Sequence, residues 1–421
     1  MTRTKLQIVV LMAPILGGAS PTGAEPTPAE ADAVHSPSIE LEGYGELLFS
    51  YFDYGPDQTR VDGSVEEHRL VFDTARFVAE LEGELTWGIE FEAEVEVEHG
   101  GTGGALELEY EEFGEFEAEV EKGGEVLVEE LYLKKAFTDW LAVKAGRFYV
   151  AVGLLSKLYR PTSYLGPARP ESETTVLPAV WDEQGVAAEL TFPGWALTFQ
   201  VVNGLDSTGF SSQFWVAQGH QARFELIRAT DLAMVGRVDF TGVPGLVVGA
   251  SSYFGDTTGN RPKPDMDGVF APVVISDVHL SYEHPLGRVQ ATAIWGRLSK
   301  AEEISDKNRR LSNNLGVLRT PVASQALAVW AEAGLNVAPW LGLDRMYRIE
   351  PFLRFEHYDT MFETGAATFD NPRFERTLLG GGVACTVSER VVAKLGASHR
   401  RLGSSTFNDE NTVQLALGFE Y

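Results

Sequence analysis

Trp87 to His99 reads WGIEFEAEVEVEH, with Trp87, Ile89, Phe91, Ala93, Val95 and Val97 on one parity and Glu90, Glu92, Glu94, Glu96 and Glu98 on the other. Successive side chains of a β-strand point to opposite sides, so this spacing predicts a strand with one apolar face and one column of carboxylates. Same-face neighbours lie roughly 6.6 Å apart, where two unit charges repel by about 0.6 kcal/mol in water and about 2.5 kcal/mol at an effective dielectric of 20. The Glu face has to be wet or neutralised by cations. A surface strand of a soluble sandwich meets that condition, and so does the wall of a membrane barrel.

The alternation recurs outward from this stretch. Phe77, Ala79 and Leu81 interleave with Arg76, Glu80 and Glu82; Trp195, Leu197, Phe199 and Val201 interleave with Thr198 and Gln200 and run into the turn-forming Asn203-Gly204-Leu205-Asp206. Val289, Ala291, Ala293 and Trp295 oppose Arg288, Gln290 and Thr292, and Tyr347, Ile349, Leu353 and Phe355 oppose Arg348, Glu350, Arg354 and Glu356. About seventeen candidate strands follow Ile39, and single-chain bacterial barrels use even numbers, so about sixteen strands are expected, with eighteen the other count. Short connections, such as Pro285 to Arg288 and Ala338 to Gly342, alternate with long polar ones at 300–323 and 359–373. That asymmetry predicts an all-β transmembrane antiparallel barrel with long loops on one side and short turns on the other.

The last residues favour the same class. Val413, Leu415, Leu417, Phe419 and Tyr421 alternate with Gln414, Ala416, Gly418 and Glu420, as in a strand that closes a barrel and is presented to the barrel-assembly machinery on insertion. At the other end, Arg3 and Lys5 precede the apolar stretch Leu6 to Leu16 and a small-residue region, the pattern of a cleaved signal peptide over 1–24. Residues 25–38 read as a flexible lead and 39–421 as the barrel, addressed to the outer membrane of a Gram-negative cell. Backbone satisfaction supplies the reason for closure, since only a closed sheet pairs every strand edge inside lipid.

Composition agrees. The 421 residues include 43 Gly and 11% aromatics, and no internal apolar run approaches the roughly 20 residues of a membrane helix. The mean hydropathy of −0.09 is what strands apolar on one side only would give. Formal net charge is −27, and Glu80 to Glu130 alone holds 19 Glu, no Asp and one base, Lys122. That sign excludes nucleic acid as a partner. A single cysteine, Cys385, excludes intramolecular disulfides and thiolate metal clusters.

Gly146-Arg147-Phe148 with Gly153, Arg169-Pro170-Glu171, Pro178 with Trp181-Asp182-Glu183, Asn203-Gly204-Leu205-Asp206 and Gly249-Ala250-Ser251, together with the segment Gly100 to Phe137, resemble the porins grouped with the phosphate-selective porin O and P family. The resemblance implies an outer-membrane barrel, of sixteen strands and often trimeric, that passes small solutes passively. It does not carry phosphate selectivity with it. Such selectivity is associated with pore-lining bases, and the Glu column departs from that. Lys134, Lys135, Lys144, Arg147, Lys157, Arg160 and Arg169 reverse the sign locally, which predicts one acidic and one basic wall.

Glu90, Glu92, Glu94, Glu96 and Glu98, with Arg288, Arg348 and Arg354, are the candidate pore-lining residues, because charge at close quarters sets ion selectivity. The alternative for the Glu column is a solvated strand extension beyond the membrane, and bridging by Ca²⁺ is a third reading. Leu154 to Glu183 is a long connection with spaced prolines, and loops of that length usually have a task. It is a candidate constriction loop, with Arg160, Arg169, Glu171, Glu173, Asp182 and Glu183 as candidate constriction residues; an outward surface loop is the alternative. The histidines from His68 to His399 lack the close spacing of a zinc site. No cofactor or catalysis is expected, although Ser251, or Ser398 with His399, would be the place to look for a barrel hydrolase.

The resulting expectation is a water-filled diffusion channel for small hydrophilic solutes or ions, embedded in outer-membrane lipid, with a homotrimer implied by the resemblance. A structural or surface-exposed barrel without channel activity is the alternative, followed by an anion-selective porin.

Overall fold

Leu47 sits opposite Leu417 and Tyr51 opposite Val413, in an antiparallel ladder between the first strand of the fold and the last. This pairing closes the sheet. The computed structural model describes residues 39–56, 66–109, 117–221, 227–261, 264–311, 319–404 and 409–421; the expected signal peptide and lead lie outside them. The strands are β1 (Ile39–Pro56), β2 (Glu66–Glu84), β3 (Ile89–Glu109), β4 (Glu117–Thr138), β5 (Leu141–Tyr149), β6 (Asp182–Phe192), β7 (Trp195–Asn203) and β8 (Leu232–Phe240), then β9 (Leu246–Asp256), β10 (Pro272–His284), β11 (Gly287–Leu298), β12 (Gln325–Leu335), β13 (Tyr347–Glu363), β14 (Glu375–Val387), β15 (Val391–Leu402) and β16 (Glu410–Glu420). Each pairs with its sequence neighbours, giving a closed sixteen-stranded antiparallel barrel. The expected class and the lower of the two strand counts are correct.

The polarity of the wall is the reverse of a water-soluble protein's. In β8, Leu232, Met234 and Val238 point outward and are exposed, while Arg237 and Asp239 on the other parity are buried. The same holds in β16, where Val413, Leu415, Leu417 and Phe419 face out. Along the turn end, Trp140 stacks on Phe192, Trp195 meets Phe240 edge-on, and Phe77 stacks on Tyr421, an arrangement of aromatics that suits a boundary between apolar and aqueous media.

Connections segregate by length. One end carries the short turns at 85–88, 139–140, 193–194, 241–245, 285–286, 336–346 and 388–390; the opposite end carries 150–181, 204–231, 257–271 and 299–324 among its longer connections. Three sequence readings need adjustment. The strand expected from Trp87 begins at Ile89, because Trp87 takes φ 64° and Gly88 φ 63° to reverse the chain. Asn203 to Asp206 does not make a hairpin turn: Gly204 N–H donates to Asp231 and Asp206 N–H to Gly219, forming the neck of the 204–231 connection. β13 runs on to Glu363, past the loop start expected at 359.

The long connections do not all stay outside. Trp215, from 204–231, is fully buried; its indole N–H donates to the Ala323 carbonyl at 3.1 Å. A Cβ at Gly296 of β11 would lie 2.0 Å from the Trp215 ring, so glycine is what lets the ring reach the inner wall. A buried apolar cluster including Trp181, Leu205, Phe210, Trp215, Ile275, Ile294 and Ile304 fills the loop end of the barrel on the β6–β13 side. The apolar core of this molecule is inside the loops, and its wall is charged inside and apolar outside.

Candidate functional site: the lumen and the segment 150–181

Residues 150–181 leave β5 and turn into the barrel. Gly153 takes φ 77°, where a Cβ would meet the Glu173 carboxylate at 2.3 Å. Its N–H donates to Asp277 of β10 at 3.0 Å, and its carbonyl accepts from Arg237 of β8 at 2.6 Å. Further on, the Tyr164 hydroxyl donates to Glu46 of β1 at 2.7 Å, while the next residue, Leu165, donates its N–H to Glu332 of β12 at 2.7 Å. Consecutive residues are thus tied to well-separated strands of the wall, β1 and β12. Arg354 of β13 and Lys394 of β15 donate to the carbonyls of Ala168 and Gly166, and Arg288 of β11 donates to that of Thr162. The segment crosses the lumen and ends in the short helix α1 (Glu171–Val176).

Small residues on the wall make room for it. A Cβ at Gly396 of β15 would meet Pro167 at 2.8 Å, and one at Gly418 of β16 would meet Pro161 at 2.6 Å. On the loop side of the crossing lies a cavity of about 290 Å³ bounded by Tyr54, Arg169, Glu171, Arg354 and Gln414. On the turn side lies one of about 360 Å³ bounded by Thr162, Glu283, Arg288, Arg348 and Glu389.

Each candidate constriction residue has a definite place. Arg160 pairs with Glu80 of β2 and lies 3.6 Å from Glu420 of β16. Arg169 donates to the Ala179 carbonyl at 2.8 Å and borders the loop-side cavity. Glu171 accepts from Tyr358, Arg376 and Arg400; burial pushes its carboxyl up, and the two guanidinium groups outweigh that and hold it below the usual carboxylate range. Glu173 is fully enclosed, accepting from Trp330 at 2.6 Å and from the Leu155 N–H at 2.8 Å, and burial pushes it up to about 7. Asp182 and Glu183 sit elsewhere, at the start of β6, where Asp182 pairs with Arg147 and His220. Burial favours neutral His220, but Asp182 and Glu183 beside it raise its pKa nonetheless.

The Glu column of β3 faces inward, toward Arg76 and the segment: Glu94 and Glu96 are buried, and Glu96 lies 3.8 Å from Arg76. Register compounds it. Glu42 of β1 sits opposite Glu80, Glu80 opposite Glu94, and Glu94 opposite Glu130 of β4, a row of carboxylates across four strands. Glu90 and Glu98 stand at the two ends of the column, opposite Lys134 and Arg76 respectively.

The expected basic wall is different. Arg288 and Arg348 both pair with Glu350 at 2.8 Å, and Arg354 pairs with Glu332 at 2.6 Å. In the Lys134–Arg169 run, Lys134 pairs with Glu189, Arg147 with Asp182, Lys157 with Asp239 and Arg160 with Glu80. These cations are matched by carboxylates on the same strand, on strands one or two away, or on the wall facing the segment, because desolvated charge persists only when paired. The excess charge of the lumen lies on β1–β4.

Sequence reasoning passed over the partners that seat the segment: Lys394, Trp330, Glu332 and the glycines at 396 and 418. Lys394 lies 3.5 Å from the Tyr164 ring centroid. Only inward parity marks any of these in the sequence. Among the described residues the contacts of the hydrolase candidates are to other groups: the Ser251 hydroxyl donates to Asp277, with His279 on the far side of that carboxylate, and His399 is 2.9 Å from Asn411 and 3.6 Å from Asp409.

No family model matches the chain. An uncharacterized protein of Aquifex aeolicus strain VF5 is 23% identical over 269 residues, 63% of this chain, and the match spans 54%, about half, of that relative's length. Among solved structures, OmpF of Salmonella typhi in complex with daunomycin is similar over 91% of this chain and 97% of its own, with a TM-score of 0.55 at 10% identity. The outer membrane channel DcaP of Acinetobacter baumannii aligns over 91% and 97% with a TM-score of 0.52 at 12% identity. An anion-selective porin from Comamonas acidovorans aligns over 91% and 100% with a TM-score of 0.51 at 10% identity. The chain shares the porin fold with these proteins.

Proposed function

We propose that this chain is an outer-membrane porin: a water-filled channel through which small hydrophilic solutes or ions diffuse passively, with selectivity set by lumen charge. The observation that carries the reading is the inverted polarity of a closed wall. Leucine, methionine and valine exposed outside need an apolar medium, and buried arginine, lysine and glutamate inside need water or one another. The terminal strand, Val413 to Tyr421, would be the element offered to the barrel-assembly machinery, and the aromatics at the turn end would sit at the membrane interface. The homotrimer implied by the sequence resemblance belongs to the same proposal.

The segment 150–181 acts in this reading as the constriction, and the carboxylate row of β1–β4 gives a preference for cations. Planar-bilayer recording of the refolded chain tests it: discrete conductance steps are expected, with a reversal potential of cation sign in a salt gradient. Pure protein that inserts but gives no steps sinks the channel.

A second reading rests on one observation, the ties from Tyr164 and Leu165 to two well-separated strands of the wall, β1 and β12. A segment so anchored would make a structural barrel that does not conduct. The two readings separate on the same instrument, because only the channel conducts without mutation.

A further inference from the structure

Glu94 is a buried charged group on the inner wall with no hydrogen-bond partner of its own. Its residue exposure is 0%, and neither carboxylate oxygen has a hydrogen-bond partner. Leaving one ionised carboxylate buried and unpaired is expensive, so the surroundings should supply a cation. What they supply instead is more carboxylate. One oxygen each from Glu92, Glu94 and Glu130 lie within 4.8 Å of one another, and Glu80 stands opposite Glu94 on the next strand. The nearby bases are already engaged: Arg160 with Glu80, and Lys144 between Glu130 at 3.9 Å and Glu189 at 3.6 Å.

We propose that Glu92, Glu94 and Glu130 bind one divalent cation, Ca²⁺, on the inner wall of the barrel. Three oxygens within 4.8 Å of one another place a central ion no more than about 2.8 Å from each, which small side-chain rotations bring to the 2.3–2.6 Å of Ca²⁺–oxygen bonds. Mg²⁺ needs roughly 2.0–2.1 Å and near-octahedral geometry, a far tighter contraction. The Tyr132 hydroxyl donates to Glu92 and holds it in place. Glu92 is only part-buried, so the ion has access from the lumen, whereas Glu94 and Glu130 are closed off. Ligands from two adjacent strands, β3 and β4, also make the ion a staple across the ladder that carries the register shift at Glu94 and Val95.

The test is binding, independent of conductance. Equilibrium dialysis of the refolded full-length barrel against ⁴⁵Ca²⁺ should show a site of about 0.1–1 mM or tighter, the range of extracellular calcium modules. Tb³⁺ in the same site should show emission sensitised through Tyr132 and be displaced by Ca²⁺ more readily than by Mg²⁺. Glu94→Gln should weaken Ca²⁺ binding at least tenfold, and Glu283→Gln, at the far rim, should leave it unchanged. Tyr132→Phe, which keeps all three carboxylates, should cut the sensitised emission, locating the ion even if Glu94→Gln fails to refold. Absence of Ca²⁺ binding by the unmutated barrel at neutral pH overturns the proposal, since the carboxylates are then held by shared protons. So does binding that Mg²⁺ matches, or that both Glu94→Gln and Tyr132→Phe leave untouched.

Discussion

Arg354 holds Glu332 at 2.6 Å with one nitrogen while another donates to the Ala168 carbonyl at 2.7 Å, so a single guanidinium serves both the wall and the segment that crosses it. Removing it breaks two links at once. Arg354→Ala leaves Glu332, which is 1% exposed, as an uncompensated buried charge, a loss of about 3–5 kcal/mol. Urea unfolding in detergent should register that loss. Bilayer recording should show larger or noisier steps as 165–169 loosens, and unchanged conductance would remove the segment's role as constriction.

Pro167 rests against the space that a side chain would take at Gly396. Gly396→Val should overpack that contact and cost about 1–3 kcal/mol, with conductance altered because the displaced proline sits over the loop-side cavity. Gly236→Ala is the control, since its Cβ would come no closer than 3.8 Å to any neighbour. Equal effects from both substitutions would argue against a seated segment.

Excess negative charge on β1–β4 should be readable in a salt gradient. Neutralising Glu92, Glu94 and Glu96 to Gln, measured with chelator present, should shift the reversal potential toward the anion side. Neutralising Glu350 should add a second effect. It frees Arg288 and Arg348 from their shared partner and should shift the potential the same way while also lowering stability.

Glu173 carries a pH signature. Burial raises its carboxyl from 4.5 to about 7, so between those values the folded chain keeps a proton that the unfolded chain has lost. Stability from this group therefore falls as pH rises through the window. Glu171 runs the other way: its pKa is lowered, so its contribution is present above the ordinary carboxylate range and fades on acidification. Thermal unfolding followed from roughly pH 4 to 8, which spans the Glu173 window, should flatten on its alkaline side in Glu173→Gln. An identical slope in that variant would refute the assignment.

The sequence by itself determined the barrel. Alternation is a local property: the parity of Val413, Leu415 and Leu417, or of Glu92, Glu94 and Glu96, needs only the strand's period of two, and it repeats often enough to give the class and narrow the strand count to sixteen or eighteen. The long connection after β5 is visible for the same reason, as a break in that pattern. Tertiary structure decided who meets whom. Glu80, Glu94 and Glu130 are far apart in the chain and became one row through the register of β2, β3 and β4. Arg288 and Arg348 look like free pore charges in sequence, and the register of β13 beside its neighbours put Glu350 between them. Pro167 against Gly396 and Trp215 against Gly296 are contacts between a loop and a distant strand, where the informative residue is the one with no side chain. The reason is physical. A strand's two faces follow from its own covalent geometry, whereas charge balance in a lumen is a sum over side chains that only closure of the sheet brings within reach of one another.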